Sequence, residues 1–217
     1  MTEPVWTWAA LAGLGAFHGI NPAMGWLFAV ALGLQEKRAG AVFAALAPLG
    51  LGHALSVAIV ALALALLTPL VQPDILNIGA AFLLVGLGFW RLTARHRARV
   101  GMRVGFGGLT LWSFLMATGH GAGAMLLPVL LRMKMGEAGH GAAQHHGGHL
   151  PHADDLETAL LAVGVHTAAM LAVAGAVAFA VFRWVGVAFL RRGWINLDLI
   201  WAGALILAGL GSVAARL

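Results

Sequence analysis

Long runs of apolar residues, separated by short polar or basic stretches, make up most of this sequence. Six runs come close to or exceed the roughly 20 residues that a helix needs to cross about 30 Å of hydrocarbon. They cover residues 5–34, 41–70, 75–90, 107–131, 156–182 and 197–213. The pattern predicts an all-α integral membrane protein with six transmembrane helices.

The composition excludes an ordinary soluble domain. Of the 217 residues, 61% are hydrophobic and 10% are charged, so too little polar surface remains to cover a soluble globule. The sequence contains no Cys, which excludes disulfides, thiolate metal sites and thiol redox relays. The net charge of +5 comes from Lys and Arg residues that lie mostly in short loops. Such residues signal topology in a lipid bilayer, and we expect no nucleic-acid partner.

The basic residues also predict an orientation. Ten of the 13 Lys and Arg residues follow the first, third or fifth run, and three lie on the other side. By the positive-inside rule, those ten residues face the cytoplasm and both termini are extracytoplasmic. We therefore expect an integral protein of the inner (cytoplasmic) membrane of a bacterium. The sequence does not determine the oligomeric state, and it is compatible with a homo-oligomer.

An internal repeat relates the two halves of the chain. The segment GAFHGINPAMGWLFAVAL, which begins at Gly15, resembles MATGHGAGAMLLPVLL, which begins at Met116. LGHALSVAIVALA, from Leu51, similarly resembles VGVHTAAMLAVAG, from Val163, and a third match joins the third and sixth runs. Three segments followed by three similar ones must have opposite orientations. The pattern therefore predicts a 3+3 inverted-topology repeat with halves 1–106 and 107–217, and chance similarity between helices rich in Ala, Gly and Leu is the alternative.

Four histidines recur at matching places in this repeat. His18 and His120 lie in the middle of the first and fourth runs, and His53 and His166 lie about a third of the way along the second and fifth. Neutral imidazole binds Ni, Co, Cu or Zn ions, and a pseudo-two-fold axis in the membrane plane would bring the four rings together. We therefore predict a metal site at these residues, near the bilayer midplane. For each ring, a hydrogen bond to a carbonyl of a neighbouring helix is the structural alternative.

Other polar or sulfur-containing residues in the runs are candidates for auxiliary roles. Asn21 offers a carboxamide oxygen as a ligand, and the thioethers of Met24 and Met125 would favour softer ions such as Cu(I). Methionine in an apolar helix also serves as packing filler, which is the alternative. Asp198 is a candidate for charge or proton coupling, with interfacial placement as its alternative.

A His-rich stretch, MKMGEAGHGAAQHHGGHLPHADDLE, fills residues 133–157. Its composition does not suit a packed core, and the predicted topology makes it an extracytoplasmic loop. We predict that the loop captures or buffers metal ions weakly; a solvated linker with a chance bias towards His, and a pH sensor, are the alternatives. The candidate ligands are His140, His145, His146, His149, His152, Asp154 and Asp155.

Two motifs in the first half carry a family resemblance. With HGINPAMGW in the first run and LGHALSVAIVALA in the second, the chain resembles the NicO nickel/cobalt efflux family and the related UreH-like transmembrane proteins of the LysE superfamily. That family has six helices and an opening motif close to His-Gly-x-Glu-Pro-Gly-His, which His18, Gly19 and Pro22 match. Asn21 stands in place of the acidic residue and Met24 in place of the second His. The resemblance implies metal transport, and the two departures favour a softer ion than nickel or cobalt.

These features together predict a transporter, not an enzyme. It would move a transition-metal cation by alternating access around a midplane His cluster, and the resemblance favours efflux. The sequence contains no phosphate-binding loop of the GxxxxGK[ST] type, so a proton or ion gradient is the expected driving force. One alternative is a membrane-embedded metalloenzyme or accessory protein that holds its metal permanently. The other is a transporter of a small anion or another non-metal substrate.

Overall fold

A computed structural model describes residues 5–67, 70–93, 105–140, 153–185 and 197–214. All elements in these ranges are helical, which confirms the predicted all-α class. A 3₁₀ turn at Pro22–Met24 joins the first two α-helices, and a π-helical turn at Val181–Val185 follows the seventh. The α-helices are α1 (Val5–Ile20), α2 (Trp26–Glu36), α3 (Ala39–Leu67), α4 (Pro73–Thr93), α5 (Phe106–Gly119), α6 (Ala122–His140), α7 (Ala153–Ala180) and α8 (Leu197–Ala214).

Helices occupy all six predicted apolar runs, but two of the runs are divided. The first run contains α1, the 3₁₀ turn and α2, so the chain breaks at Pro22. The fourth run contains α5 and α6, which meet at a bend of 57°. The other four runs correspond to α3, α4, α7 and α8.

Length and composition identify the helices that are able to cross a membrane. Within the described ranges, two helices meet both criteria, namely α3 and the combination of α7 with its π-helical turn. The bent pair of α5 and α6 makes a third if it is counted as one span, and α1, α2, α4 and α8 are apolar but shorter. The fold is therefore an all-α membrane protein with two to three candidate spans, and the six-span arrangement stays a prediction.

The break after α1 has a local cause in the sequence. Pro22 has no N–H with which to continue the helix, and Asn21 Oδ1 caps the new turn by accepting from the N–H of Ala23 at 3.0 Å. The indole Nε1 of Trp26 donates to the last carbonyl of α1 at 3.0 Å and so ties the start of α2 to the end of α1. Gly25 completes the break with a φ of +103°, a left-handed conformation that side chains disfavour.

We expect Gly25→Ala to lower the stability of the protein. The new Cβ would overlap the Leu49 side chain at a backbone φ of +103°, and such strain costs about 1–2 kcal/mol. The measurement is the midpoint of unfolding in detergent, followed by Trp fluorescence. Gly13→Ala is the control, because nothing lies within 4 Å of a Cβ at that position. Equal midpoints for the two variants would contradict the backbone geometry at Gly25.

Four helices pack as two parallel pairs, α1 with α7 and α3 with α5. In each pair, the numbers of the contacting residues rise together along both helices, which defines a parallel arrangement. The contacting residues are Gly15 with His166 and Gly19 with Met170 in the first pair, and Leu49 with Ser113 and Ser56 with Thr118 in the second.

Two further pairs, α3 with α7 and α4 with α8, are antiparallel. Here the residue numbers rise along one helix as they fall along the other. Since α1 is parallel to α7, and α5 is parallel to α3, it follows that α1 and α5 run in opposite directions. The contacting residues are Leu46 with Gly175 and Gly50 with Leu171 in the first pair, and Ala81 with Gly209 and Gly88 with Ala202 in the second.

Two clusters of buried apolar side chains fill the interior. The larger cluster includes Leu84 of α4, Leu126 of α6 and Leu205 of α8, and the smaller one is built around α2, α3 and α7. Many other large apolar side chains face outward; Phe82 is 74% exposed and Leu207 is 71% exposed. An apolar outer surface of this kind suits contact with lipid chains.

Helix extends into both ends of the region predicted as a loop, residues 133–157. The helix α6 continues to His140 and α7 begins at Ala153, so part of the predicted loop is helical, while its placement outside the cytoplasm stays a prediction. Once an apolar run has nucleated a helix, each added residue gains a backbone hydrogen bond, and the helix extends into polar sequence. Residues 141–152, between the two helices, lie outside the described residues.

Candidate metal-binding histidine cluster

Three histidines from three helices meet in the interior of the protein. The ring centroids of His18 in α1 and His166 in α7 are 4.9 Å apart. The ring of His53 in α3 lies 5.6 Å from that of His18 and 5.3 Å from that of His166. All three side chains are completely buried. The structure thus brings together three of the four histidines of the repeat, while their role as metal ligands stays a prediction.

The fourth histidine, His120, lies at the break between α5 and α6. Its side chain is 1% exposed, and it forms the C-terminal cap of α5. It is also close enough to His18 for an electrostatic interaction. His18 and His120 therefore both stand at the C-terminal end of a helix that is interrupted inside the protein. The carbonyl groups at such an end carry partial negative charge and favour a cation over an anion.

Backbone carbonyl groups fix the protonation of three of the four rings. In each case the imidazole Nδ1 lies within hydrogen-bond distance of a carbonyl oxygen. A carbonyl can only accept, so Nδ1 carries the proton and the neutral ring has its lone pair on Nε2. Metal-binding histidines commonly make this second hydrogen bond, which orients the ring. The acceptors are Leu14 O for His18 (2.9 Å), Met116 O for His120 (2.7 Å) and Leu11 O for His166 (3.3 Å).

His53 is held differently from the other three rings. Both of its ring nitrogens are buried and have no hydrogen-bond partner among the described residues. The Nε2 atom of the adjacent His166 is likewise buried and has no hydrogen-bond partner among the described residues. A buried polar group left unsatisfied costs about 1–3 kcal/mol. The cluster therefore holds lone pairs and N–H groups that the described part of the protein does not use.

The distances between the three ring centroids match those of imidazoles bound to one tetrahedral metal ion, but the relative orientation of two of the rings does not. With metal–nitrogen bonds of about 2.0–2.1 Å, two imidazoles on one tetrahedral ion have ring centroids about 5 Å apart. The rings of His53 and His166, however, lie at only 16° to one another. Within the described ranges, no group of three or more His, Asp or Glu side chains is placed to hold one ion. Formation of a site therefore requires rotation of the His53 ring.

The auxiliary candidates in the described part are engaged in local structure. Asn21 is 5% exposed, and its Oδ1 caps the 3₁₀ turn. Met24 and Met125 are buried, and Met125 belongs to the larger apolar cluster. The position of Met125 agrees with the alternative that methionine acts as packing filler.

The structure does not place the side chains of the remaining candidates. The backbone of four of them belongs to α6, α7 or α8, but their side chains lie outside the description. These four are His140, Asp154, Asp155 and Asp198. The other loop candidates, His145, His146, His149 and His152, lie outside the described residues. Metal capture by the loop and coupling through Asp198 stay predictions.

A polar bridge between α3 and α5 was not identified from the sequence. The hydroxyl groups of Ser56 and Thr118 are 2.9 Å apart, and Ser113 Oγ donates to Leu49 O at 2.6 Å. Ser56 follows His53 by three residues, and Thr118 precedes His120 by two. Small hydroxyl residues in otherwise apolar helices were the available signal, because such residues commonly bond across helix pairs in membranes.

Comparison of this chain with models of known protein families, with curated proteins and with solved structures finds no match. The NicO resemblance therefore stays a prediction.

Proposed function

We propose that this protein is a six-span membrane transporter of a transition-metal cation, and that His18, His53 and His166 form its binding site with His120 beside them. The observation that carries the proposal is the meeting of three completely buried imidazoles from three helices, within 5.6 Å of one another. Both nitrogens of His53 lack a hydrogen-bond partner among the described residues. A bound cation would satisfy one of them.

The chemistry of the cluster selects the class of ion. Neutral imidazole nitrogen suits Ni, Co, Cu and Zn, whereas Mg and Ca prefer sets of oxygen ligands. The carbonyl ends of α1 and α5 add partial negative charge beside His18 and His120. The substrate is therefore a first-row transition-metal cation, bound by imidazole nitrogens.

The directions of the helices support alternating access by a 3+3 inverted repeat. In the repeat, α1 and α2 together correspond to α5 and α6. Each of these two stretches is interrupted at or just after a histidine, His18 in the first and His120 in the second. Because α1 and α5 run in opposite directions, the two interrupted helices have the relation that an inverted repeat requires. The repeat also relates α1 to α5 and α7 to α3. The packed pair α1–α7 in the structure therefore has the packed pair α5–α3 as its counterpart.

The NicO resemblance adds a direction of transport to the proposal, namely efflux. In that motif an acidic residue precedes the proline, and here Asn21 stands there and caps the 3₁₀ turn. The site therefore lacks the carboxylate of the motif, and a softer ion than nickel or cobalt is favoured.

A membrane-embedded protein with a permanently held metal is the second candidate function. The complete burial of His18, His53 and His166 favours it, because a fixed metal needs no route to solvent. In a transporter, the same burial corresponds to an occluded state between the two open states. The two functions differ in whether the ion exchanges.

The test is metal binding by purified protein, followed by transport in proteoliposomes. We expect wild-type protein to bind about one ion per chain from separate solutions of Ni²⁺, Co²⁺, Zn²⁺ or Cu(I). We expect His18→Ala and His166→Ala to weaken binding at least about tenfold, since each substitution removes one imidazole ligand. Elemental analysis after gel filtration measures the stoichiometry. Thr167→Val is the matched control: Thr167 is the next residue along α7, is 8% exposed, and has nearly the shape of valine.

Three results would decide between the candidate functions. Exchangeable metal with uptake into metal-free liposomes supports transport. Metal that survives chelation, without uptake, supports the permanently held metal. If wild-type protein binds none of the four ions, the metal proposal is lost, and a proton-coupled or anion transporter takes its place.

A further inference from the structure

We propose that the two rigid bodies that move in this transporter are not the two sequence halves. They are two helix pairs that each combine one helix from either half, α1 with α7 and α3 with α5, and we call them exchanged pairs. Access to the histidine cluster would alternate as the α1–α7 unit rocks against the α3–α5 unit. This inference rests on the proposed transport function, and it specifies which contacts persist through the cycle.

The α1–α7 unit is joined backbone to backbone. A Cβ on Gly15 would overlap the carbonyl oxygen of His166, and a Cβ on Gly19 would overlap that of Met170. The Nδ1 atom of His166 also donates to Leu11 O across the same interface, at 3.3 Å. Helices in such close contact cannot slide past one another without first separating. The His18 and His166 rings are therefore fixed relative to each other.

The α3–α5 unit has the same construction. A Cβ on Gly52 would overlap the carbonyl oxygen of Thr110 and would lie 2.8 Å from the Phe114 nitrogen. Two hydrogen bonds cross this interface, from Ser113 Oγ to Leu49 O at 2.6 Å and between the hydroxyls of Ser56 and Thr118 at 2.9 Å. This unit carries His53 and, at the end of α5, His120.

At the boundary between the two units, where α3 meets α7, two glycines face flexible side chains of the other helix. A Cβ on Gly50 would meet Leu171 Cδ1 at 2.7 Å, and one on Gly175 would meet Leu46 Cδ1 at 2.9 Å. The ends of leucine side chains change rotamer easily, whereas backbone contacts do not. Relative movement is therefore cheaper at this boundary than inside either unit.

The boundary passes through the histidine cluster. His18 and His166 lie on one side of it and His53 lies on the other, at ring separations of 5.6 and 5.3 Å. An ion bound by all three rings would hold the two units together, and opening of the boundary would remove the His53 ligand. The breaks after α1 and α5 permit this movement, because each unit is joined to α2 or α6 through a short turn rather than a continuous α-helix.

Paired cysteines test the inference directly, because the native sequence contains no Cys. Ser56→Cys with Thr118→Cys crosslinks α3 to α5 inside one unit, where the native hydroxyls are 2.9 Å apart. Gly50→Cys with Leu171→Cys crosslinks α3 to α7 across the boundary. Both pairs join the first sequence half to the second. Movement of half against half therefore predicts that both crosslinks block transport, whereas movement of exchanged pairs predicts that only the second does.

The readout is Zn²⁺ uptake into proteoliposomes before oxidation, after oxidation with diamide and after reduction with dithiothreitol. We expect the crosslink inside the unit to leave uptake within about twofold, and the crosslink across the boundary to reduce it at least about tenfold and reversibly, since it blocks a gating motion. Loss of uptake in both oxidised variants would overturn the inference, as would retention in both. Reduced and alkylated samples control for Zn²⁺ binding by free thiols.

A second measurement does not depend on transport and so separates failure of this inference from failure of the proposed function. Spin labels on exposed positions report one distance inside a unit, Leu55→Cys with Leu111→Cys, and one across the boundary, Leu55→Cys with Leu161→Cys. We expect a narrow distance distribution for the first pair, and for the second a broad or two-peaked distribution that Zn²⁺ narrows. A narrow distribution across the boundary, or a broad one inside the unit, would overturn the inference even if Zn²⁺ uptake is normal.

Discussion

His53→Leu is expected to abolish metal binding and at the same time to stabilise the metal-free protein. His53 buries two ring nitrogens that have no partner among the described residues, whereas leucine requires no hydrogen bond. Relief of this cost contributes about 1–3 kcal/mol, reduced by any imperfect packing of the new side chain. For a domain of this length, each kcal/mol raises the midpoint of thermal unfolding by about 2–4 °C. Opposite effects on binding and on stability are the mark of a residue kept for function.

The matched control for this prediction is His166→Leu. It removes an imidazole from the same cluster, but it also leaves Leu11 O without the hydrogen bond that His166 Nδ1 donates. The stability of this variant should therefore remain unchanged or fall. The measurements are thermal unfolding in detergent with chelator present, and metal stoichiometry. A less stable His53→Leu protein that still binds metal would show that His53 is a structural residue.

Gly52→Val is expected to have the largest effect on stability. A Cβ at Gly52 would overlap the backbone carbonyl of Thr110, and a backbone atom cannot move aside unless α3 and α5 separate. We expect a loss of about 3 kcal/mol or more, at the upper end of overpacking effects. Gly15→Val should behave in the same way in the other unit, because its Cβ would overlap the carbonyl of His166.

Gly50→Val is the control for the glycine prediction. Gly50 lies on the same helix, two residues from Gly52, but its Cβ would meet the end of the Leu171 side chain instead of backbone. We expect a clearly smaller loss of stability, measured as the fraction of folded protein after extraction and as the unfolding midpoint. Equal losses for Gly50→Val and Gly52→Val would contradict the backbone contact between α3 and α5.

The apolar pattern of the sequence predicts where the helices lie, and one of the two interruptions in the described ranges has a visible signal in the sequence. The polar stretch around Pro22 interrupts a run that would otherwise be a single helix, and the structure breaks there. The second interruption, at His120 and Gly121, has no proline. There the chain turns through Gly121, which has a φ of +70°, and a glycine within a run that contains several others gives no distinct signal.

The sequence could predict the members of the histidine cluster but not their arrangement. The recurrence of His18, His53 and His166 in matching segments indicates that they share a role, because polar groups are costly in an apolar helix. Which rings face one another depends on helix rotation, which is set by packing of the kind seen at Gly15 and Gly52. Glycine packing of this kind depends on atoms from distant parts of the chain, and spacing within one run does not reveal it.

The uncharged side chains of the proposed site also have an electrical consequence. The ligand candidates in the described residues are neutral imidazoles, with an amide and two thioethers as auxiliary candidates, so none of them offers a carboxylate to compensate the charge of a divalent cation. Each elementary charge that crosses the membrane exchanges about 2.3 kcal/mol with a potential of 100 mV. Carriage of a divalent ion without a compensating counter-ion would therefore be electrogenic, and its rate would respond steeply to the membrane voltage.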